Sequence, residues 1–113
     1  MNCQALVDRY PELYRDLPYG IECGKGWEQL LDDLSQVLVA LGPVTVRQVK
    51  EKFGQLRFYY TGGNAGVNCA VRMAERLSCY TCEECGRAGR HRTDRAWWVT
   101  LCDGCNDERI KRG

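Results

Sequence analysis

The sequence predicts an α+β fold, and three observations predict it. Apolar residues recur at three- and four-residue intervals through most of the first 41 positions, which is the stripe of amphipathic helices. From Val44 the pattern changes to β-branched and aromatic residues in alternation, the chemistry of strands. Two Cys-x2-Cys pairs then occupy the C-terminal third at metal-ligand spacing. Together they read as N-terminal helices packed on a β-hairpin, a third helix, and a C-terminal four-cysteine zinc ribbon. The length of 113 residues is that of one domain, with 1–78 expected as an α+β body and 79–113 as the ribbon and a charged tail.

The elements follow in order. Leu6, Val7, Tyr10, Leu13, Tyr14 and Leu17 form the first stripe. Pro11 interrupts it, so a kink, or a late start with Pro11 in the first turn, is expected. Pro18, Tyr19 and Gly20 end it, and a Gly-rich stretch leads to a second helix with Trp27, Leu30, Leu31, Leu34, Val37, Leu38 and Leu41 on its apolar face. Gly42-Pro43 stops that helix. Val44, Thr45, Val46 and Val49 open one strand, Phe53-Gly54 turns the chain, and Leu56 to Thr61 return as the second strand. In that strand Leu56, Phe58 and Tyr60 share one face, and Arg57 and Tyr59 the other. Val67, Ala70, Val71, Ala74 and Leu77 mark the inner face of a third helix. Short strands around Arg90–Arg92 and Trp97–Leu101 separate the cysteine pairs, and Asp107 to Arg112 is a charged, helix-compatible tail.

Net charge is +1, which argues neither for a polyanion binder nor for an acidic mimic. Its distribution is uneven: residues 1–43 carry three Lys/Arg against seven Asp/Glu, and residues 44–76 carry six against two. No apolar run is long enough to span a bilayer, and Met1 to Asp16 has charges where a signal peptide needs an apolar segment. A cytoplasmic location, with no membrane partner, is therefore expected. In that reducing compartment eight cysteines favour metal thiolates over disulfides.

Cys82-Glu-Glu-Cys85 and Cys102-Asp-Gly-Cys105 are separated by sixteen residues, which suits a ribbon with an intervening hairpin. Gly86 and Gly104 permit the tight backbone geometry of such turns. The rivals are disulfides and tetrathiolate iron, and the reading is one structural Zn2+, because four sulfurs leave no position for water or substrate. Cys79 and His91 are spare potential ligands, read instead as a helix-end cysteine and an exposed-strand histidine. Cys3, Cys23 and Cys69 lack paired spacing and read as small buried residues.

Two surfaces mix cations with aromatics as phosphate- and base-contacting surfaces do. The first is the hairpin, with Lys50, Lys52, Phe53, Arg57 and Tyr59; the second is the ribbon, with Arg87, Arg90, His91, Arg92, Arg95, Trp97 and Trp98. The competing reading turns Phe58 and Tyr60 inward, leaves the charges to solvate a hairpin, and uses one Trp to cover the knuckles. Catalysis has less support. Cys23 sits in a Gly-rich loop as a nucleophile could, but the only histidine, His91, is distant in sequence. Gly62-Gly63 and Gly66 lack the Lys-Ser/Thr ending of a phosphate-cradling loop.

The motifs Glu22-Cys-Gly-Lys-Gly-Trp27, Val49-Lys-Glu-Lys-Phe-Gly-Gln-Leu-Arg-Phe-Tyr-Tyr60, Met73-Ala-Glu75, Thr81-Cys82-x2-Cys85-Gly86 and Trp98-x2-Leu-Cys-Asp103 together resemble a group of uncharacterised small zinc-ribbon proteins of bacteriophages, prophages and their bacterial hosts. The likeness covers about residues 20–105. It implies a setting, the bacterial host cytosol during infection or lysogeny, and a mode of action, binding to a host protein or nucleoprotein complex. Inhibition of a defence system, in the manner of an anti-CRISPR protein, is the sharpest form of that expectation. The alternatives are a nucleic-acid-binding zinc-ribbon module and, least supported, an enzyme using Cys23.

Overall fold

A computed structural model describes residues 3–112; Met1, Asn2 and Gly113, the outer ends of the two expected segments, lie outside the described residues. The chain is α+β. Its first stripe is two short helices, α1 (Gln4–Arg9) and α2 (Pro11–Tyr14), broken at Tyr10, with Pro11 in the first turn of α2. Proline lacks the N–H that would continue α1, yet its fixed φ suits a helix start, so both effects of Pro11 operate at one place. A two-residue strand β1 (Ile21–Glu22) follows, then a 3-10 turn (Lys25–Trp27) and helix α3 (Glu28–Leu41).

β2 (Val44–Lys52) pairs antiparallel with β3 (Gln55–Gly62), and β1 adds in parallel to the far side of β2, Ile21 opposite Val49. Strand β1 has no counterpart in the sequence reading. Two residues carry no periodicity, and only their position beside β2 makes them a strand. A bulge between Val46 and Gln48 shifts the register. Helix α4 (Ala65–Ser78) starts at Asn64, whose side chain accepts the Val67 N–H at 3.0 Å. It lies along the free edge of β3, where Ser78 Oγ and Glu75 Oε2 accept the N–H groups of Leu56 and Phe58 at 2.9 and 3.0 Å. Those side chains satisfy donors that would otherwise invite another strand. β4 (Arg90–Arg92), β5 (Val99–Leu101) and α5 (Asp103–Arg112) complete the chain.

The main core joins Leu6, Leu13, Tyr14, Trp27, Leu31, Leu38, Val46, Val49, Leu56, Phe58, Val67 and Val71. The apolar faces are narrower than the stripes suggested. Val37 and Leu41 on α3 and Leu77 on α4 are exposed, because each lies at the margin of its stripe and no element covers that side. Buried Ser35 and Ser78 sit on the inner faces instead, each with its hydroxyl hydrogen-bonded: Ser35 to Tyr14 at 2.6 Å and to the Leu31 carbonyl, Ser78 to the Glu75 carbonyl.

The C-terminal segment has its own small cluster of Cys82, Val99 and Leu101, and it docks on the body at two places. At the first, the Gly26 N–H donates to the Glu83 carbonyl at 2.7 Å, the Gly24 N–H to Glu83 Oε2 at 2.9 Å, and the Trp27 indole to the Thr81 carbonyl at 2.8 Å. The approach is so close that a Cβ at Gly26 would lie 2.2 Å from the Cys82 carbonyl oxygen. At the second, the Thr100 hydroxyl donates to the Gly54 carbonyl at 2.6 Å at the tip of the β2–β3 turn. The expected outcome of Gly26→Ala is a loss of about 2–3 kcal/mol through overpacking, seen as a fall in Tm of about 10 °C by thermal circular dichroism. Gly104→Ala, where nothing lies within 4 Å of the added carbon, leaves Tm unchanged or higher.

Candidate metal centre

The first knuckle follows directly from α4. The Cys82 N–H donates to the Arg87 carbonyl at 2.7 Å and the Gly86 N–H returns to the Cys82 carbonyl at 2.9 Å, closing a tight turn that needs Gly86 at a φ of +84°. The second knuckle runs from the end of β5 into the first turn of α5, with Cys102 just before the helix and Cys105 within it. The positive end of the α5 dipole therefore lies at the sulfurs, where it favours thiolate.

The four Sγ atoms of Cys82, Cys85, Cys102 and Cys105 all lie within 4.8 Å of one another. Cys85 and Cys102 are 3.7 Å apart. A tetrahedral ion with metal–sulfur bonds of about 2.3 Å requires sulfurs about 3.8 Å apart, so the cluster fits such an ion. Four sulfurs complete the shell, and a metal held there is structural. Cys82 is fully buried. The Cys105 N–H donates to Cys102 Sγ at 3.4 Å, and this bond holds the Cys102 thiol below its ordinary value, at about 7. Burial, then the neighbouring Cys102 thiol, pushes Cys105 up to about 12.

The spare ligands lie elsewhere. Cys79 caps α4 outside the four-sulfur group, and His91 Nδ1 meets Thr100 Oγ1 at 3.1 Å. Because the Thr100 hydrogen goes to Gly54, the His91 nitrogen is the donor in that pair. Cys3 is buried and Cys23 half-buried, whereas Cys69 is exposed on the outer side of α4, against its reading as a buried residue.

The expected contact residues separate into groups. Lys50 and Arg57 are opposite each other on β2 and β3, both half-buried, with exposed Tyr59 on the same strand as Arg57. Lys52 and Phe53 are at the hairpin tip, the ammonium 5.5 Å from the ring centre. Arg92 and Arg95 are engaged within the ribbon: Arg92 binds the Leu101 carbonyl and Asp103 at 2.8 Å, and Arg95 binds Asp94 and Asn106. Arg90 reaches the same Asp103 oxygen at 3.4 Å. Trp97 is 78% exposed, and Trp98 packs edge-on against Phe53 and His91, with centroids 6.0 and 5.8 Å apart. The first knuckle is instead covered by the Gly24–Trp27 segment, a role the sequence reading missed. The Gly-x-Gly spacing ahead of a tryptophan was its only signal.

Cys82→Ser and Cys105→Ser are expected to lose the metal and to lose amide hydrogen-exchange protection first in β4, β5 and α5, while β2 and α3 keep theirs. Metal binding displaces thiol protons, so apparent affinity in a chelator competition falls from about pH 8 to about pH 6 by more than one decade per unit. Among the described residues no helix is long and apolar enough to cross a membrane. Compared with known proteins, the chain matches no family model, no curated protein and no solved structure.

Proposed function

We propose that this chain is a zinc-ribbon interaction module, in which residues 79–113, held by one Zn2+, and the α+β body of residues 1–78 present a joint surface to a protein partner. Zinc suits a closed four-thiolate shell and stabilises small ribbons locally on the order of 10 kcal/mol. The observation that carries the reading is the aromatic corner where the two segments meet. Phe53 is the first residue of a two-residue hairpin turn and has a φ of +56°, followed by Gly54 at +77°. Both positive angles are those of a type I′ turn, which prefers Asn or Asp at the first position and penalises a bulky side chain. Phe53 is nevertheless 58% exposed and packs edge-on against Trp98, whose chain neighbour Trp97 is still more exposed. A strained, solvent-facing aromatic is a residue kept for what it touches, and aromatic side chains anchor protein interfaces.

The charges beside this corner support a protein partner. Trp97 shares its hollow with Glu51, Glu83, Glu84 and Arg109, and because Arg109 pairs with Glu84 at 3.0 Å the net charge left there is negative, which disfavours phosphate. Catalysis through Cys23 finds no support: its hydrogen bond with Cys3 and its burial both push the thiol far up, away from thiolate. In the bacteriophage setting that the resemblance implies, the partner is a host protein or nucleoprotein complex, and the outcome is inhibition of a defence system.

Capture of the tagged chain from bacterial lysate after nuclease treatment is expected to retain one discrete host complex. Phe53→Asn, which suits the turn, should change folding stability by less than about 1 kcal/mol yet abolish capture, as should Trp97→Ala. No discrete complex retained after nuclease treatment, or capture indifferent to both variants, would sink the proposal.

A further inference from the structure

A second feature lies on the other side of His91 and does not depend on the reading above. Where the end of α4 meets β4, a hollow of about 480 Å³ is lined by Gln55, Arg76, Cys79, Tyr80, Arg90 and His91. No carboxylate lines it. Arg76 makes no ion pair among the described residues. Arg90 has only the longer share of Asp103, whose oxygen Arg92 holds at 2.8 Å, and both Arg90 and Asp103 are largely in solvent, where such a pair contributes little.

On β3, beside the Leu56 whose N–H Ser78 holds, Arg57 has its Nε sealed from water with no hydrogen-bond partner among the described residues. Burial pushes the Cys79 thiol up, and the Ser78 hydroxyl, Arg76 and Arg57 pull it back down. The nearest acid on α4, Glu75, is engaged by the Phe58 N–H and does not line the hollow. Two guanidinium groups thus line the hollow, with Asp103 beside Arg90 only at the longer distance, and the exposed ring of Tyr80 stands at the rim.

We propose that this hollow binds a backbone phosphate of single-stranded nucleic acid, with Arg76 and Arg90 on the phosphate oxygens and Tyr80 stacking the adjacent base. Guanidinium matches phosphate by paired N–H donors, and base stacking on an exposed aromatic is indifferent to sequence. The hollow is open, whereas sites for free small molecules enclose most of their ligand, so a continuous strand is the fitting source of the phosphate.

The test uses the full, metal-loaded chain and a fluorescein-labelled ten-nucleotide oligothymidylate, followed by anisotropy across a salt series. Arg76→Gln with Arg90→Gln is expected to weaken binding at least tenfold and to reduce the salt slope by about 0.7, the single-strand value for one lost phosphate contact. Tyr80→Ala should weaken it about tenfold with the slope unchanged, and Arg15→Gln, a distant surface charge, should change neither. Both sets are surface side chains, and an unaltered melting curve verifies the fold of each variant. No binding at low salt, an equal loss in Arg15→Gln, or tighter competition by thymidine monophosphate or a phosphoserine peptide than by the unlabelled strand would each overturn the assignment.

Discussion

The contact on which the rest of this structure depends is the approach of the Gly24–Trp27 backbone to the first cysteine knuckle. The Gly26 N–H meets the Glu83 carbonyl at 2.7 Å, and no side chain fits between them. One residue later, Trp27 is fully buried in the main core while its indole N–H holds the Thr81 carbonyl. The same short segment therefore anchors the body and braces the metal site. A ribbon of this size buries only Cys82, Val99 and Leu101 as its own apolar cluster. Its geometry rests on the four-cysteine cluster from within and on this backbone docking from outside.

The second docking point explains the aromatic corner. Gly54 accepts the Thr100 hydroxyl, and an added Cβ there would lie 3.0 Å from His91 and the Val99 backbone. The hairpin tip is thus pressed against the ribbon, and this position tilts Phe53 toward Trp98. Docking free energy from the rest of the interface can sustain a backbone conformation at Phe53 that an isolated hairpin would disfavour.

The arginines show how similar residues acquire different roles. Arg92 and Arg95 sit one and four positions from His91, yet both are engaged by carbonyl or carboxylate groups that tie the ribbon strands to α5. Arg76, from α4 of the body, lines the hollow beside Cys79 and makes no ion pair among the described residues. Composition counts all three alike. Their difference lies in which carboxylates the fold brings within reach.

By itself the sequence determined what is local or covalently spaced. The break at Pro11, the helix stop at Gly42, the two-residue turn at Phe53-Gly54 and the pairing of Cys82 and Cys85 with Cys102 and Cys105 all follow from backbone chemistry or ligand spacing over a few residues. Only the tertiary structure decided that Ile21-Glu22 is a strand, that Leu77 faces solvent while Ser78 faces the core, and that Gly24-Lys-Gly26 covers the first knuckle. Each of these depends on a neighbour more than twenty residues away, or on which side of a helix is left uncovered. Periodicity records the average face of an element, and the neighbour that covers it is chosen by packing in three dimensions.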